Sequence, residues 1–531
     1  MTCSSIAQLQ QVDRFHQLKT QLHDRWQSLD TFDQGDGDIL VIPSLSLDSR
    51  ELQKVTGVHL YEERLLFSLI RLRNPRTRLI YVTSQPIHPS VIDYYLQLLP
   101  GVPFSHARDR LLLFCTYDGS LQPLTQKILQ RPRLLERLRR AIRQDRAYMT
   151  CFNSTHLERE LALQLDIPML AVDPDLLYWG TKSGSRQIFA ECDVPHPDGS
   201  ELVWNADDLA LAAAELWERQ PNLNRMVVKL NEGFSGGGNA LLDLRPIQSF
   251  APGLVSTAER ASAIYSRFEC LRFQSHDETW EHFSHRIVEL GAIVESFIEG
   301  EVKRSPSVQG CITPMGEVEI LSTHDQILGG PDGQVFLGCT FPADESYRLC
   351  LQEYGLEVGR NLAAKGALER FSVDFIAVRN SDFPGGWDLH AIEINLRKGG
   401  TTHPFMTLKL LTYGRYDYTT GLFYNQQGTP KYYVATDNLQ RDHYKGLIPS
   451  DLMDVIAQHQ LHFNSTTETG TVFHLIGCLS QFGKLGLTSI GNSPEEAEAH
   501  YERVIEALDR ESQLNASNFY LSTPTFYRTS L

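Results

Sequence analysis

The sequence lacks the apolar runs and the cysteine spacing that would place it in a membrane or among disulfide-stabilised proteins. No stretch of its 531 residues approaches the roughly 20 apolar residues of a transmembrane helix. The first residues (MTCSSIAQLQQVDRFHQ) contain no apolar segment of the signal-peptide kind. The nine cysteines are scattered, odd in number and without a CxxC pair. These absences favour a cytoplasmic protein with free thiols.

Several common motifs and one kind of charge are also missing. The sequence has no Walker A loop, no HExxH pair and no GxGxxG fingerprint, which argues against P-loop, zincin and dinucleotide chemistry. Its formal net charge is −16, so nucleic acid and anionic membrane are unfavourable partners. The one basic run, Arg131 to Arg146, carries leucines at helical spacing and is interpreted as an amphipathic helix with a solvated basic face.

The N-terminal part of the chain alternates short apolar segments with helical ones. This alternation is typical of a parallel, Rossmann-like sheet. The predicted strands are 38–45, 78–83, 111–116, 148–152 and 167–172. A capping-box pattern, Thr155 to Glu158, predicts the start of the helix after the fourth strand.

The segment His390 to Thr402 (HAIEINLRKGGTT) alternates apolar with polar residues, as a strand with one buried face does. The residues of the apolar face are Ile392, Ile394 and Leu396. The residues of the polar face are Glu393, Asn395 and Arg397. An anionic oxygen ligand, a neutral one and a planar cation in a row suit a magnesium-bound phosphate.

The preceding segment supports this interpretation. Residues 371–378 (FSVDFIAV) are apolar except for Asp374, and 380–386 (NSDFPGG) have turn composition. A hairpin about this turn places Asp374 opposite Glu393. Two facing carboxylates repel each other unless a cation lies between them. The open alternative is an ordinary hairpin with a polar outer face.

Two lysines stand where a polyphosphate could bind. Lys182 precedes a helix-like segment, a position that suits a cation only if an anion binds there too. Lys229 leads from a strand into residues 231–239 (NEGFSGGGN), whose backbone N–H groups could surround phosphates. Hairpin turns need glycine as well, so the loop alone is a weak signal. Further on, residues 291–301 (GAIVESFIEGE) place glutamates among apolar residues.

Taken together, these segments resemble the ATP-grasp superfamily of carboxylate–amine ligases over about residues 150 to 411. The stretches INLRKGGTTHP and VFHLIGC…GLTSIGNSPEEA resemble most the peptide ligase group typified by the pheganomycin-forming ligase. The resemblance implies an α/β and α+β fold. Its parts would be a Rossmann-like pre-ATP-grasp domain (1–177), a two-lobed ATP-grasp domain (178–411) and a small C-terminal α+β domain (412–531).

The resemblance also implies roles for individual residues. The residues implied to contact ATP are Lys182, Lys229, Ser235, Gly236, Gly237, Gly238, Glu295, Phe297, Ile298 and Glu301. The lysines would hold the α- and β-phosphates, and the serine and glycines would close over them. Glu295 and the backbone near Phe297 and Ile298 would take the adenine, and Glu301 the ribose. The implied Mg²⁺ ligands are Asp374, Glu393 and Asn395. Arg397 would stabilise the transferring phosphoryl group, with Gln326 and Lys398 nearby.

The implied reaction is ATP-dependent amide formation through an acyl-phosphate, with release of ADP and phosphate. The partners are small-molecule carboxylate and amine substrates, amino acids or peptides, which no motif identifies. Dimers are common in this superfamily, so a homodimer is one expectation, whereas nucleic acid and membrane are not expected. Two alternatives stay open: a phosphotransferase with a hydroxyl acceptor, and a non-catalytic nucleotide-binding scaffold.

Overall fold

The N-terminal part of the chain builds a parallel sheet. The structure, a computed structural model, describes residues 3–27, 35–233, 238–275, 278–329 and 335–521. The parallel strands are β1 (Asp38–Ile42), β2 (Arg78–Thr83), β3 (Leu111–Cys115), β4 (Ala147–Cys151) and β5 (Met169–Leu170). Their order is β3-β2-β1-β4-β5, which confirms the Rossmann-like expectation. β5 is shorter than the predicted 167–172 because Pro168, which has no N–H to donate, precedes it.

Helices and apolar clusters cover both faces of this sheet. Ile39 and Val41 of β1 pack into one cluster and Leu40 and Ile42 into another. The helices are α1 (Cys3–Gln27), α2 (Ser49–Gln53), α3 (Pro89–Gln97), α4 (Phe104–Arg108), α5 (Leu124–Leu129), α6 (Pro132–Ala141) and α7 (His156–Leu165), with a 3-10 helix at Val58–Arg73. The Thr155–Glu158 capping box at the start of α7 is confirmed.

The next part of the chain forms a small antiparallel lobe. Its helices are α8 (Lys182–Glu191), α9 (Ala206–Arg219), α10 (Thr257–Tyr265) and α11 (Trp280–Leu290). Its strands are β6 (Arg225–Leu230), β7 (Asn239–Asp243), β8 (Arg272–Phe273) and β9 (Ala292–Ser296), in the order β8-β7-β6-β9. The buried Trp217 and Phe283 lie in the core of this lobe.

A large antiparallel sheet follows. Its first strands are β10 (Lys303–Arg304), β11 (Pro306–Ile312), β12 (Val318–Gly329), β13 (Val335–Phe341), β14 (Glu369–Arg379) and β15 (Trp387–Asn395). Helix α12 (Arg348–Ala364) packs on β11 and β12, where Gly355 lies against Val308 and Ile320. Helix α13 (Thr402–Thr412) packs against the 3-10 helix of the N-terminal part.

The C-terminal strands extend this same sheet. They are β16 (Arg415–Asp417), β17 (Leu422–Tyr424), β18 (Pro430–Gln440), β19 (Gly470–His474) and β20 (Lys484–Gly491). β18 pairs with β13 on one side and with β20 on the other. The accompanying helices are α14 (Pro449–Gln458), α15 (Cys478–Phe482) and α16 (Pro494–Leu521). Among the described residues, none of the helices is long and apolar enough to cross a membrane.

Candidate active site

The hairpin of β14 and β15 has the register that the sequence predicts. Asp374 pairs directly with Glu393. One residue further the register shifts, because Phe375 pairs with Ala391 and leaves Ile392 as an extra residue in a β-bulge. Ile392 was expected on the apolar face together with Ile394, but it is only half-buried. The bulge reverses the alternation, so that odd positions are buried before it and even positions after it.

The two facing carboxylates differ in their surroundings. Asp374 accepts hydrogen bonds from Gln326 Nε2 at 2.8 Å and from Asn395 Nδ2 at 3.0 Å. Burial and the neighbouring Glu393 raise the pKa of Asp374 to about 7, against the opposing effects of Arg397 and Lys182. Burial would raise the pKa of Glu393 too, but Lys182 and Arg397 outweigh it and the net shift is downward. Glu393 is therefore the anionic member of the pair.

Helix α8 directs Lys182 at these carboxylates. Lys182 Nζ lies 2.5 Å from Glu393 Oε2, and its side chain is buried. Thr181 caps the helix by accepting a hydrogen bond from the Gly184 amide. A Cβ at Gly184 would lie 2.0 Å from the Tyr178 carbonyl oxygen, so this turn requires glycine. The Ile394 amide donates to Ser185 Oγ at 3.0 Å and holds the helix on β15.

A second ionic group lies in the small lobe. Lys229 Nζ is 2.5 Å from Glu295 Oε2, and Arg186 Nη1 is 3.2 Å from Glu295 Oε1. Lys229 and Glu295 are 4% and 3% exposed, so this charge group is shielded from water. Burial raises the pKa of Glu393, and Lys182 lowers it more strongly than any other cation. Lys229 makes a smaller contribution in the same downward direction. The two ionic groups are therefore electrostatically connected.

Sequence reasoning missed Arg186 and Arg64. Arg186 lies four residues after Lys182 on α8, and this spacing puts both on one side of a helix. Arg64 belongs to the 3-10 helix of the N-terminal part and acts electrostatically on Arg397, whose pKa is lowered chiefly by burial. Arg397 is also attracted by Glu393 and Asp374. No local signal links Arg64 to a strand more than 300 residues away.

Four further predicted residues contact other protein groups or are exposed. Lys398 Nζ donates to the Cys151 carbonyl at 2.8 Å and to Glu369 Oε2 at 3.0 Å. The Phe297 ring is contacted by the cations of Arg225 and Lys303, 4.0 and 4.3 Å from its centroid. The Ile298 carbonyl accepts from Lys303. The fourth of these residues is Glu301, which is exposed.

The predicted phosphate loop is only partly described. Ser235, Gly236 and Gly237 lie outside the described residues. Gly238 is buried, and its carbonyl accepts from the Leu230 amide at 2.9 Å.

The residue types around Asp374 suit magnesium shared with a ligand. In the part of the chain that the structure describes, no group of three or more His, Cys, Asp or Glu residues could hold a metal alone. Two carboxylates and the Asn395 amide are the hard oxygen ligands that Mg²⁺ prefers when phosphates complete its coordination. The raised pKa of Asp374, caused by burial and by Glu393, fits a place where a cation is expected.

Comparison with known proteins identifies relatives of the chain. The profile of a family described as "IQCH-like, ATP-grasp" matches residues 176–267 and 253–419, and that of "PGM1 C-terminal domain" matches 451–504. The chain is 30% identical over 484 residues to an L-propargylglycine–L-glutamate ligase of Streptantibioticus cattleyicolor, covering 90% of this chain and 94% of that protein. It is 23% identical over 442 residues to IQ motif-containing protein H of Danio rerio, covering 76% of this chain and 41% of that one.

A solved structure shares the fold. Biotin carboxylase of Campylobacter jejuni superposes with a TM-score of 0.51 and 12% sequence identity, over 88% of this chain and 90% of its own.

Proposed function

The chain belongs to the ATP-grasp ligases, enzymes that form C–N bonds, and on this premise we propose that it joins two amino acids in an ATP-dependent reaction. The observation that carries the proposal is the Asp374–Glu393 pair with Lys182 and Arg397 around it. This group offers carboxylates for a metal and cations for phosphate within one half-buried site. Amino acids are proposed as substrates because a relative that aligns over most of the chain is named for ligating two of them.

The proposed reaction has two steps. A carboxylate oxygen of the first amino acid attacks the γ-phosphorus of ATP, and ADP leaves with the bridging oxygen. The resulting acyl-phosphate is attacked at its carbonyl carbon by the amine of the second amino acid. The bond to phosphate oxygen breaks, the amine nitrogen loses a proton, and the products are an amide and inorganic phosphate.

The residues of the site would position and neutralise the reactants. Lys182 and Lys229, now paired with Glu393 and Glu295, would hold phosphate oxygens. Arg397 would oppose the charge that builds when a carboxylate approaches the γ-phosphate. Asp374, Glu393 and Asn395 would hold Mg²⁺, which supplies positive charge to the phosphates. Glu295, Phe297, Ile298 and Glu301 stay predictions for the adenosine contacts, as do Gln326 and Lys398 for the reacting groups.

Trapping the acyl-phosphate tests the reaction class. With ATP, Mg²⁺ and L-glutamate, but with hydroxylamine in place of the amine, the enzyme should release ADP and phosphate and form a hydroxamate. Arg397→Ala should suppress hydroxamate formation about 100-fold or more, since a half-buried cation proposed to face the transferring group is removed. ATP affinity, measured by calorimetry with a non-hydrolysable analogue, should fall far less.

Arg379→Ala is the matched control. Arg379 lies on β14 five residues after Asp374, is exposed, and packs over Trp387, so its loss should leave hydroxamate formation unchanged. A phosphate stably esterified to a hydroxyl group of a substrate would contradict the ligase proposal and favour a phosphotransferase. ATP binding without turnover over a full set of amino-acid pairs would favour a non-catalytic role.

A further inference from the structure

A buried polar group joins the N-terminal part of the chain to the C-terminal strands, close to Arg397. It consists of Tyr61, Arg64, Asp437, His474 and Lys484, here called the anchor cluster. Arg64 Nη2 lies 2.6 Å from Asp437 Oδ2, and His474 Nε2 lies 2.7 Å from Asp437 Oδ1. Both cations lie over the Tyr61 ring, with Arg64 Cζ 5.3 Å and Lys484 Nζ 4.7 Å from its centroid. Side chains from four separate segments thus converge on one buried point.

Positive charge exceeds negative charge in the anchor cluster. Arg64, Asp437 and Lys484 are 6%, 5% and 4% exposed, so water does not screen them well. Asp437 forms its ion pair with Arg64. In the described parts of the chain, Lys484 Nζ has only the Tyr61 hydroxyl as a hydrogen-bond partner. Buried charges in proteins are normally paired, so a second anion is expected here.

Unsatisfied hydrogen-bonding groups mark the same place. Among the described residues, the buried Arg64 Nε and His474 Nδ1 have no hydrogen-bond partner. Buried polar atoms are nearly always paired with protein, water or ligand, so each such atom requires a cause. Arg64 is more than nine-tenths buried and still has a free donor. The pKa of the neighbouring Lys484 is lowered chiefly by burial and also by Arg64. A carboxylate would satisfy both groups.

The anchor cluster is connected to the reaction centre. Arg64 Cζ lies 4.9 Å from the centroid of the Phe152 ring, and the Phe152 carbonyl accepts from the amide of Lys398, the residue after Arg397. Two neighbouring cations that repel each other are stabilised when an anion lies near both.

The sheet face that continues from Asp374 carries polar residues beside an aromatic one, Phe341, which packs against His324 and Tyr433. Ser307 pairs in register with Asp374 on one side and with His324 on the other. Among the described residues, Ser307 Oγ and His324 Nδ1 are buried without partners. His324 Nε2 lies 2.6 Å from the hydroxyl of Tyr433, on the strand that also carries Asp437.

We propose that the anchor cluster binds the α-carboxylate of an amino-acid substrate, the carboxylate that does not become part of the new amide bond. Arg64 and Lys484 supply the charge-assisted donors, and Asp437 with His474 orients the guanidinium. The reacting group of the substrate points toward Asp374 and Arg397. This inference rests on the proposed function and adds the substrate class, an α-amino acid with a free carboxylate, and its specificity residues.

Paired substrates with and without the α-carboxylate test the proposal. The probes are L-glutamate and its α-amide as donors, and L-alanine and L-alaninamide as acceptors, with ADP release as the readout. For the substrate held by the cluster, the wild-type enzyme should favour the acid over the amide in KM by about 10- to 100-fold. Arg64→Met should remove most of this preference by raising the KM of the acid alone, with the KM of ATP changed less than about threefold.

Two further variants and one control make the result specific. Lys484→Met should reduce the same preference, and Arg64→Lys should restore part of it, since it keeps a donor and the charge. Arg73→Met is the matched control. Arg73 lies on the same 3-10 helix and contacts the carbonyls of Leu410 and Leu411 at the same interface, so its loss should leave the preference intact.

The proposal is overturned if Arg64→Met and Lys484→Met lower only stability and kcat and keep the acid preference of both substrates. Should no amino-acid pair release ADP, the proposed function fails. Binding of L-glutamate and of its α-amide, measured in the presence of a non-hydrolysable ATP analogue and Mg²⁺, then tests the anchor cluster separately from the proposed function. Acid-selective binding that Arg64→Met removes supports it, and equal binding, or none, of the acid and the amide contradicts it.

Discussion

At the scale of single residues, the unequal titration of Asp374 and Glu393 is the property most open to measurement. Burial and Glu393 raise the pKa of Asp374 to about 7, well above the value of about 3.9 in an unfolded chain. The folded state then binds this proton more tightly than the unfolded state. Stability without magnesium should therefore fall as pH rises from about 4 to about 7, and stay reduced above that range.

Replacing Asp374 by Asn should reveal this effect. Without Mg²⁺ and nucleotide, Asp374→Asn should raise the melting temperature at pH 8 by a few degrees, and the gain should shrink towards pH 5, where the wild-type carboxyl is protonated. Thermal unfolding in the presence of a chelator, followed by circular dichroism at several pH values, measures it. A loss of stability at pH 8 would mean that the carboxylate has a cationic partner in the free protein. The same variant should be inactive as a ligase.

At the scale of secondary-structure elements, Glu295 on β9 is held from two sides, by Lys229 on β6 and by Arg186 on α8. Lys229→Met should leave Glu295 paired with Arg186 and keep an apolar stem that packs, so the melting temperature of the free protein should change little. Nucleotide affinity should fall at least tenfold, because a cation that faces phosphate is removed.

The double variant Lys229→Met/Arg186→Met separates structure from binding. It leaves a buried carboxylate without either cation, which should cost about 3–5 kcal/mol of unfolding free energy. Denaturant unfolding of the wild type, both single variants and the double variant measures the non-additivity. If Lys229→Met alone is as destabilising as the double variant and nucleotide affinity is kept, the lysine is structural.

The same elements show what sequence patterns can and cannot reveal. The pairing of Asp374 with Glu393 follows from the alternation of apolar and polar residues and from one turn, both of which are local properties of the sequence. The bulge at Ile392 has no such signal, since an extra residue in one strand is decided by its pairing with the other. Arg186 was within reach through its helical spacing from Lys182. The role of Arg64 and the contact of Lys398 with Glu369 could not be predicted, because tertiary packing alone brings those residues to their partners.

At the scale of the whole molecule, ion pairs join the small lobe to the N-terminal part. Arg286 on α11 lies 2.6 Å from Glu51 on α2, and Arg50 lies 3.0 Å from Glu289. Arg286 and Glu51 are only 11% and 14% exposed in their side chains, so this pair is less screened than ordinary surface pairs. Contacts of this kind hold the small lobe against the N-terminal part.

A double-mutant cycle measures this coupling. Glu51→Gln and Arg286→Gln should each destabilise the protein, and their effects should be non-additive by about 1–3 kcal/mol. The exposed pair of Arg50 with Glu289 is the matched control and should show a coupling below about 1 kcal/mol. Full additivity for Glu51 and Arg286 would show that the two parts are not held together by this pair.

The pairing of β18 with β13 ties the last quarter of the chain to the strands that frame the reaction centre. A fragment that stops near residue 411 would keep the pairing of β13 with β12 but leave the other edge of β13 without β18. A long, unprotected edge strand recruits other chains. The C-terminal strands continue the sheet and protect this edge of it. An exchange of chain segments between relatives at about residue 411 would therefore have to include β18.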